Sequence, residues 1–140
     1  IIPRVIFAAL KKSKFYLEGN GESKRNFLYI DDFCKGIYLM LQKGKINNTY
    51  HFSGKNLISI KNLVTKICKI MNYDKKKLII YKKERSSLDK VYKMDTKKTR
   101  SELRWKDSIT LDKGIINTVN YMKYNFDLIK NLKPIYKHKR

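Results

Sequence analysis

Gly19-Asn20-Gly21-Glu22-Ser23-Lys24-Arg25-Asn26-Phe27-Leu28-Tyr29-Ile30-Asp31-Asp32 is the stretch on which the reading of this chain turns. Two glycines bracket an asparagine, three residues that tolerate positive φ, so a tight turn is expected there. The apolar run Phe27 to Ile30 reads as a short strand, and the adjacent carboxylates Asp31 and Asp32 read as the head of a helix that runs to Gln42. An aspartate at a helix start accepts orphan amide protons and complements the dipole. That is a commoner use of such a pair than acid–base chemistry or metal binding. Arg25 stands just before the strand, where a rigid scaffold can aim its guanidinium fork at an anion. From spacing alone the ordinary reading is an exposed arginine on a hairpin.

Working outward, residues 1–13 read as the end of a helix already under way. Pro3 suits a first turn, and Val5, Ile6, Ala8, Ala9 and Leu10 give an apolar face. The chain opens on these residues at Ile1 without a methionine, so the expectation is a piece of a longer protein. Phe15 to Leu17 is a strand candidate. Downstream, Phe33, Ile37 and Leu41 supply the expected buried stripe of the second helix, with Cys34 and Tyr38 beside it.

Tyr50-His51-Phe52 reads as a further strand, and Ser53-Gly54-Lys55-Asn56 lies at its carboxyl end, where open α/β sheets place ligand contacts. His51 has no carboxylate or nucleophile close in sequence, so it reads as a neutral strand histidine rather than a general base. Ser59 caps the clearest helix, with Ile60, Leu63, Val64, Ile67, Cys68 and Met71 at helical spacing. After a solvated turn at Lys75 to Lys77, Leu78 to Tyr81 is a buried-type strand. The segment from Lys82 to Tyr92 is polar and irregular, with Arg85 and Asp89 its notable members. Asp95 caps a short helix to Leu103, Trp105 packs near its end, and Thr110 caps a last helix whose inward face is Leu111, Ile115, Val119 and Met122. Residues 127–140 form a basic tail behind a main portion of 1–126. This alternation of helices and strands is α/β in character.

The 140 residues suffice for one domain with its own core. No run reaches the roughly 20 apolar residues of a membrane span, and no secretory segment is visible. Cys34 and Cys68, the only cysteines, sit in apolar helical patterns and read as two buried thiols, consistent with a reducing cytoplasm. The net charge of +21 raises an alternative function, a lysine-rich nucleic-acid-binding module. The surplus is nearly all lysine, however, and is spread along the chain, with only six arginines to read bases or phosphates.

Taken in register, these segments resemble the C-terminal portion of extended short-chain dehydrogenase/reductase enzymes acting on nucleotide sugars, nearest to the dTDP-glucose 4,6-dehydratases. The family signature G-D-G-x-x-x-R-D-W-x-Y-V-x-D is similar to Gly19-Asn20-Gly21 through Arg25-Asn26-Phe27-Leu28-Tyr29-Ile30 to Asp32. Its T-Y-N-x-G-G-x-N element resembles Thr49 to Asn56, its R-P-G-H-D-R-R-Y-x-x-D loop resembles Arg85 to Asp95, and its E-L-G-W resembles Glu102-Leu103-Arg104-Trp105. The resemblance covers the chain to about Asn125.

It implies an α/β fold, the substrate-binding portion of an extended Rossmann-type enzyme lacking the N-terminal dinucleotide-binding half. It also implies that Arg25, Asn56 and Arg85 bind the diphosphate of a nucleotide-sugar substrate. Three positions depart from the pattern. The loop histidine is Leu88, the first arginine after the aspartate is Lys90, and the aromatic before the glycine turn is Glu18, which leaves UDP-, CDP- or GDP-sugars open beside dTDP-sugars. NAD is the implied cofactor of the full-length enzyme. Neither the glycine-rich dinucleotide fingerprint nor the family's Tyr-x-x-x-Lys pair is read in this chain, so no catalytic residue is assigned and the piece alone is expected to be inactive. The implied partners are the missing N-terminal half and, for the full-length protein, a second copy joined through helices upstream of this chain.

Overall fold

The computed structural model describes residues 1–83 and 89–132. Three helices make the core: α1 (Ile2–Leu10), α3 (Ile60–Ile70) and α6 (Leu111–Tyr124) pack on one another. Pro3 sits in the first turn of α1, where its missing N–H costs nothing. Val5 and Ile6 of α1 are fully buried against Leu63, Val64 and Ile67 of α3 and Ile115 of α6. Each such side chain contributes about 1.5–3 kcal/mol by leaving water. Ser59 and Thr110 cap α3 and α6 as their sequence predicts, accepting from the amides of Asn62 and Lys113.

Two small sheets flank the helices. β1 (Phe15–Glu18) runs parallel to β4 (Ile79–Lys82), and β2 (Lys24–Asn26) lies between β3 (Leu57–Ser59, antiparallel) and β5 (Val91–Tyr92, parallel). The turn between β1 and β2 has Gly19 at φ 53° and Gly21 at φ 69°, so the glycines do supply the left-handed backbone. A side chain at Gly21 would also come within 2.9 Å of Leu17 Cδ2. This turn closes the start of α3: the amides of Ile60 and Lys61 donate to the carbonyls of Ser23 and Gly21, satisfying two of the orphan donors of that helix. The remaining short helices are α4 (Lys75–Leu78), α5 (Lys97–Glu102) and α7 (Phe126–Ile129), the last placing Phe126 and Ile129 against the core.

Several local expectations are corrected. Phe27 to Tyr29 is not a strand. The ladder is formed by the polar Lys24–Asn26, and α2 already begins at Ile30 and runs to Lys43. Tyr50 to Phe52 is not a strand either, because no strand among the described residues pairs with it; its one backbone hydrogen bond is from His51 N–H to Thr99 Oγ1. Lys75 to Leu78 forms a helical turn rather than a loop, and β4 behind it is mostly exposed.

The expected stripe of α2 is mostly uncovered. Ile37 is half-buried, but Phe33 and Leu41 are exposed, as are Tyr38 and Cys34 beside them, and the buried residues of this helix are Asp32 and Gly36. Gly36 lies so close to the Phe52 ring that a Cβ there would overlap it. Cys68 is buried as expected, and burial pushes its thiol up. No helix among the described residues is long and apolar enough to cross a membrane.

Candidate functional site

Arg25 occupies the middle of the central strand β2, opposite Ile58 of β3 and Tyr92 of β5. Its guanidinium is not free to wander: Nη1 donates to the Lys24 carbonyl at 2.7 Å and Nη2 to the Asp89 carbonyl at 2.8 Å. The side chain rims a cleft of about 320 Å³ between the start of α1 and β1. Apolar Phe15, Leu17, Phe27 and Ile60 form part of this cleft, and Arg4, Tyr16, Glu18 and Ser23 add polar groups.

Asn56 is exposed, one residue before β3, and lines a different cleft of about 640 Å³ together with Lys55, Lys66, Ser108 and Thr110. Phe27 borders both clefts. Of the three residues expected to hold a diphosphate, Arg25 lies on β2 and Asn56 just before the neighbouring β3, but they rim separate clefts. Arg85 lies outside the described residues. Sequence reading did not single out Arg4 of the Arg25 cleft, which carries no motif and sits on a helix legible only from Pro3 and its apolar face.

The loop carrying Asn56 is held from below. Asn26 Nδ2 donates to the Gly54 carbonyl at 2.8 Å, while Asn26 Oδ1 is buried with no partner. An ionised aspartate, the residue of the family pattern at this place, has no proton to donate to that carbonyl. Gly54 approaches the Phe27 backbone so closely that a Cβ would overlap the Phe27 carbonyl oxygen. Gly54→Ala is expected to cost about 1–3 kcal/mol through overpacking against backbone that cannot move aside. Thermal unfolding will show it as a melting point lower by several degrees.

Asp32 is fully buried and does not cap its own helix. Its Oδ2 accepts from the amides of Ser108 and Ile109 at 2.9 and 2.8 Å, and its Oδ1 accepts from Ser108 Oγ at 2.8 Å. Burial pushes this carboxyl up, but the Ile109 amide, the Ser108 hydroxyl, the Ser108 amide and the nearby Lys35 together hold it below its ordinary value. The Trp105 indole N–H donates to the Asp32 carbonyl at 2.8 Å, and Arg100 lies over the Trp105 ring while pairing with Asp107 at 2.6 Å. Arg100 also donates to the Ser53 carbonyl at 3.0 Å, tying the loop of Gly54 and Asn56 to this network.

The described residues do not fit NAD. The glycine turn at Gly19 and Gly21 joins two strands and does not open a helix, so it cannot present the N-terminal amides that a pyrophosphate needs. The Tyr-x-x-x-Lys spacing does occur once, at Tyr73 to Lys77, contrary to the sequence reading. Tyr73 packs on the core in the turn after α3 and Lys77 is exposed on α4, and neither lines either cleft. No group of three His, Cys, Asp or Glu side chains among the described residues is placed to hold a metal ion.

A family model for GDP-mannose 4,6 dehydratase matches residues 1–118. The chain belongs to that family. The dTDP-glucose 4,6-dehydratase of Shigella flexneri is 30% identical to it over 139 residues, which are 95% of this chain and 38% of that protein. The dTDP-glucose 4,6-dehydratase of Bacillus anthracis, solved in complex with NAD, superposes with a TM-score of 0.83 at 28% identity, over 90% of this chain and 40% of that one. The UDP-glucose 4-epimerase of Thermotoga maritima, solved with UDP-glucose, shares the fold with a TM-score of 0.83 at 23% identity, over 89% of this chain and 40% of that one. The chain thus spans about two-fifths of the length of these proteins.

Proposed function

We propose that this chain is the substrate-binding C-terminal portion of an NAD-dependent nucleotide-sugar 4,6-dehydratase or epimerase, nearest to dTDP-glucose 4,6-dehydratase. In this reading it holds the nucleotide diphosphate, and residues outside it bind NAD and do the chemistry. The observation that carries the reading is Arg25, a guanidinium pinned by two backbone carbonyls at the rim of a partly apolar cleft. A fork fixed in this way loses little entropy when it meets a phosphate. Arg85 and Asn56 are assigned to the same group through the family pattern alone, Asn56 rimming the adjoining cleft.

We place the dinucleotide-binding half on the outward face of α2, where Ile30, Phe33, Tyr38 and Leu41 are exposed. The extended backbone of Tyr50 to Phe52, unpaired with any strand among the described residues, borders that face through the contact of Phe33 with Phe52. Exposed apolar patches of this kind mark surfaces that another unit covers. The lysine surplus does not favour the nucleic-acid alternative, since β2, β4 and α2 through α6 all carry lysines and the one run, Lys75 to Lys77 on α4, is a single helical turn.

Calorimetric titration of the chain with dTDP tests the reading. Arg25→Ala is expected to weaken binding about tenfold to a hundredfold, the value of one or two charge-assisted hydrogen bonds. Equal affinity of the variant and the parent chain would remove Arg25 from the site.

A further inference from the structure

We propose that Arg4 is a second phosphate-binding guanidinium in the cleft of Arg25, so that the diphosphate is spanned from α1 and β2. The inference rests on the reading of the cleft as a nucleotide-diphosphate site, and it names a residue that the family pattern does not mark. Arg4 and Arg25 line the same cleft from different elements, whereas Asn56 lines another. The two guanidiniums are committed differently. Arg25 spends one N–H of each terminal nitrogen on the Lys24 and Asp89 carbonyls, leaving three of its five donors.

Arg4 makes no hydrogen bond or ion pair among the described residues, and its guanidinium carbon lies 5.9 Å from the centroid of the Phe15 ring. That ring orients the guanidinium plane without using an N–H, so all five donors of Arg4 remain for a ligand. A diphosphate has two phosphoryl groups, and one planar fork engages only one of them bidentately. A fork on each side of the cleft matches that chemistry, with the half-exposed Tyr16 ring on the same cleft.

Titrations of the chain with dTDP and with thymidine, for the parent, Arg4→Ala, Arg4→Lys, Arg25→Ala and Asn56→Ala, test the proposal. Arg4→Ala is expected to lower dTDP affinity about tenfold or more and to leave any thymidine binding unchanged. Arg4→Lys should recover only part of the loss, because an ammonium cannot bind bidentately. The side chain is exposed, so the melting point of Arg4→Ala should match the parent. If Arg25→Ala weakens dTDP binding and Arg4→Ala does not, the cleft reading stands and the role of Arg4 is overturned. If the parent chain does not bind dTDP, or if neither arginine variant changes its affinity, both fall.

Discussion

Asp32→Ala is expected to lower the free energy of unfolding by about 3–5 kcal/mol, because it strands two amides and a hydroxyl at about 1–3 kcal/mol for each buried group left unpaired. The donors are the Ser108 and Ile109 N–H groups and the Ser108 hydroxyl, all aimed at one fully buried carboxylate. A domain of this size is stable by only about 5–15 kcal/mol, so the variant should unfold at far lower urea concentration than the parent. The same bonds set an acid dependence. The folded carboxyl is held below its ordinary value of 3.8. Its contribution is therefore fully present above that value and is lost as the pH falls through the lower, folded one. Below about pH 4 the unfolded chain takes up this proton first, which pulls the equilibrium toward unfolding. Urea titrations across the acid range should show the parent losing more stability than Asp32→Asn; parallel losses would mean that Asp32 does not set the acid limb.

Trp105→Ala should be comparably damaging, at about 3–5 kcal/mol for a large buried aromatic. The ring is 1% exposed, meets Phe52 edge-on at 5.1 Å between centroids, and has the Arg100 guanidinium over it at 4.7 Å from its centroid. Its N–H also satisfies the carbonyl of Asp32. Trp105 is the one tryptophan of the chain, so the variant has to be followed by far-ultraviolet circular dichroism. Trp105→Phe keeps most of the bulk but removes the buried indole bond to the Asp32 carbonyl, and should cost about 1–3 kcal/mol. A Phe variant as unstable as the Ala variant would put the hydrogen bond, and not the packing, first.

These two residues show how far sequence reasoning reaches here. Asp32 was legible as a residue at a helix start, and it does lie in the first turn of α2. Its partners are 76 and 77 positions away in the chain, and no local pattern announces them. Trp105 was legible as a core residue near the end of α5, but its bond to Asp32 was not. Arg4 was invisible for a similar reason, since the cleft it shares with Arg25 exists only once α1 has packed beside β1.

By itself the sequence determined what depends on neighbours in the chain. The left-handed glycines at 19 and 21, the caps at Ser59 and Thr110, and the core faces of α1, α3 and α6 all follow from backbone sterics and helical spacing. The ordered motifs likewise sufficed for the family. Only the tertiary structure decided which apolar faces are covered and which segments pair. Phe33 and Leu41 have the spacing of a core stripe, and Tyr50 to Phe52 has the composition of a strand. Burial and strand pairing need a partner surface, however, and none among the described residues covers the one or pairs with the other.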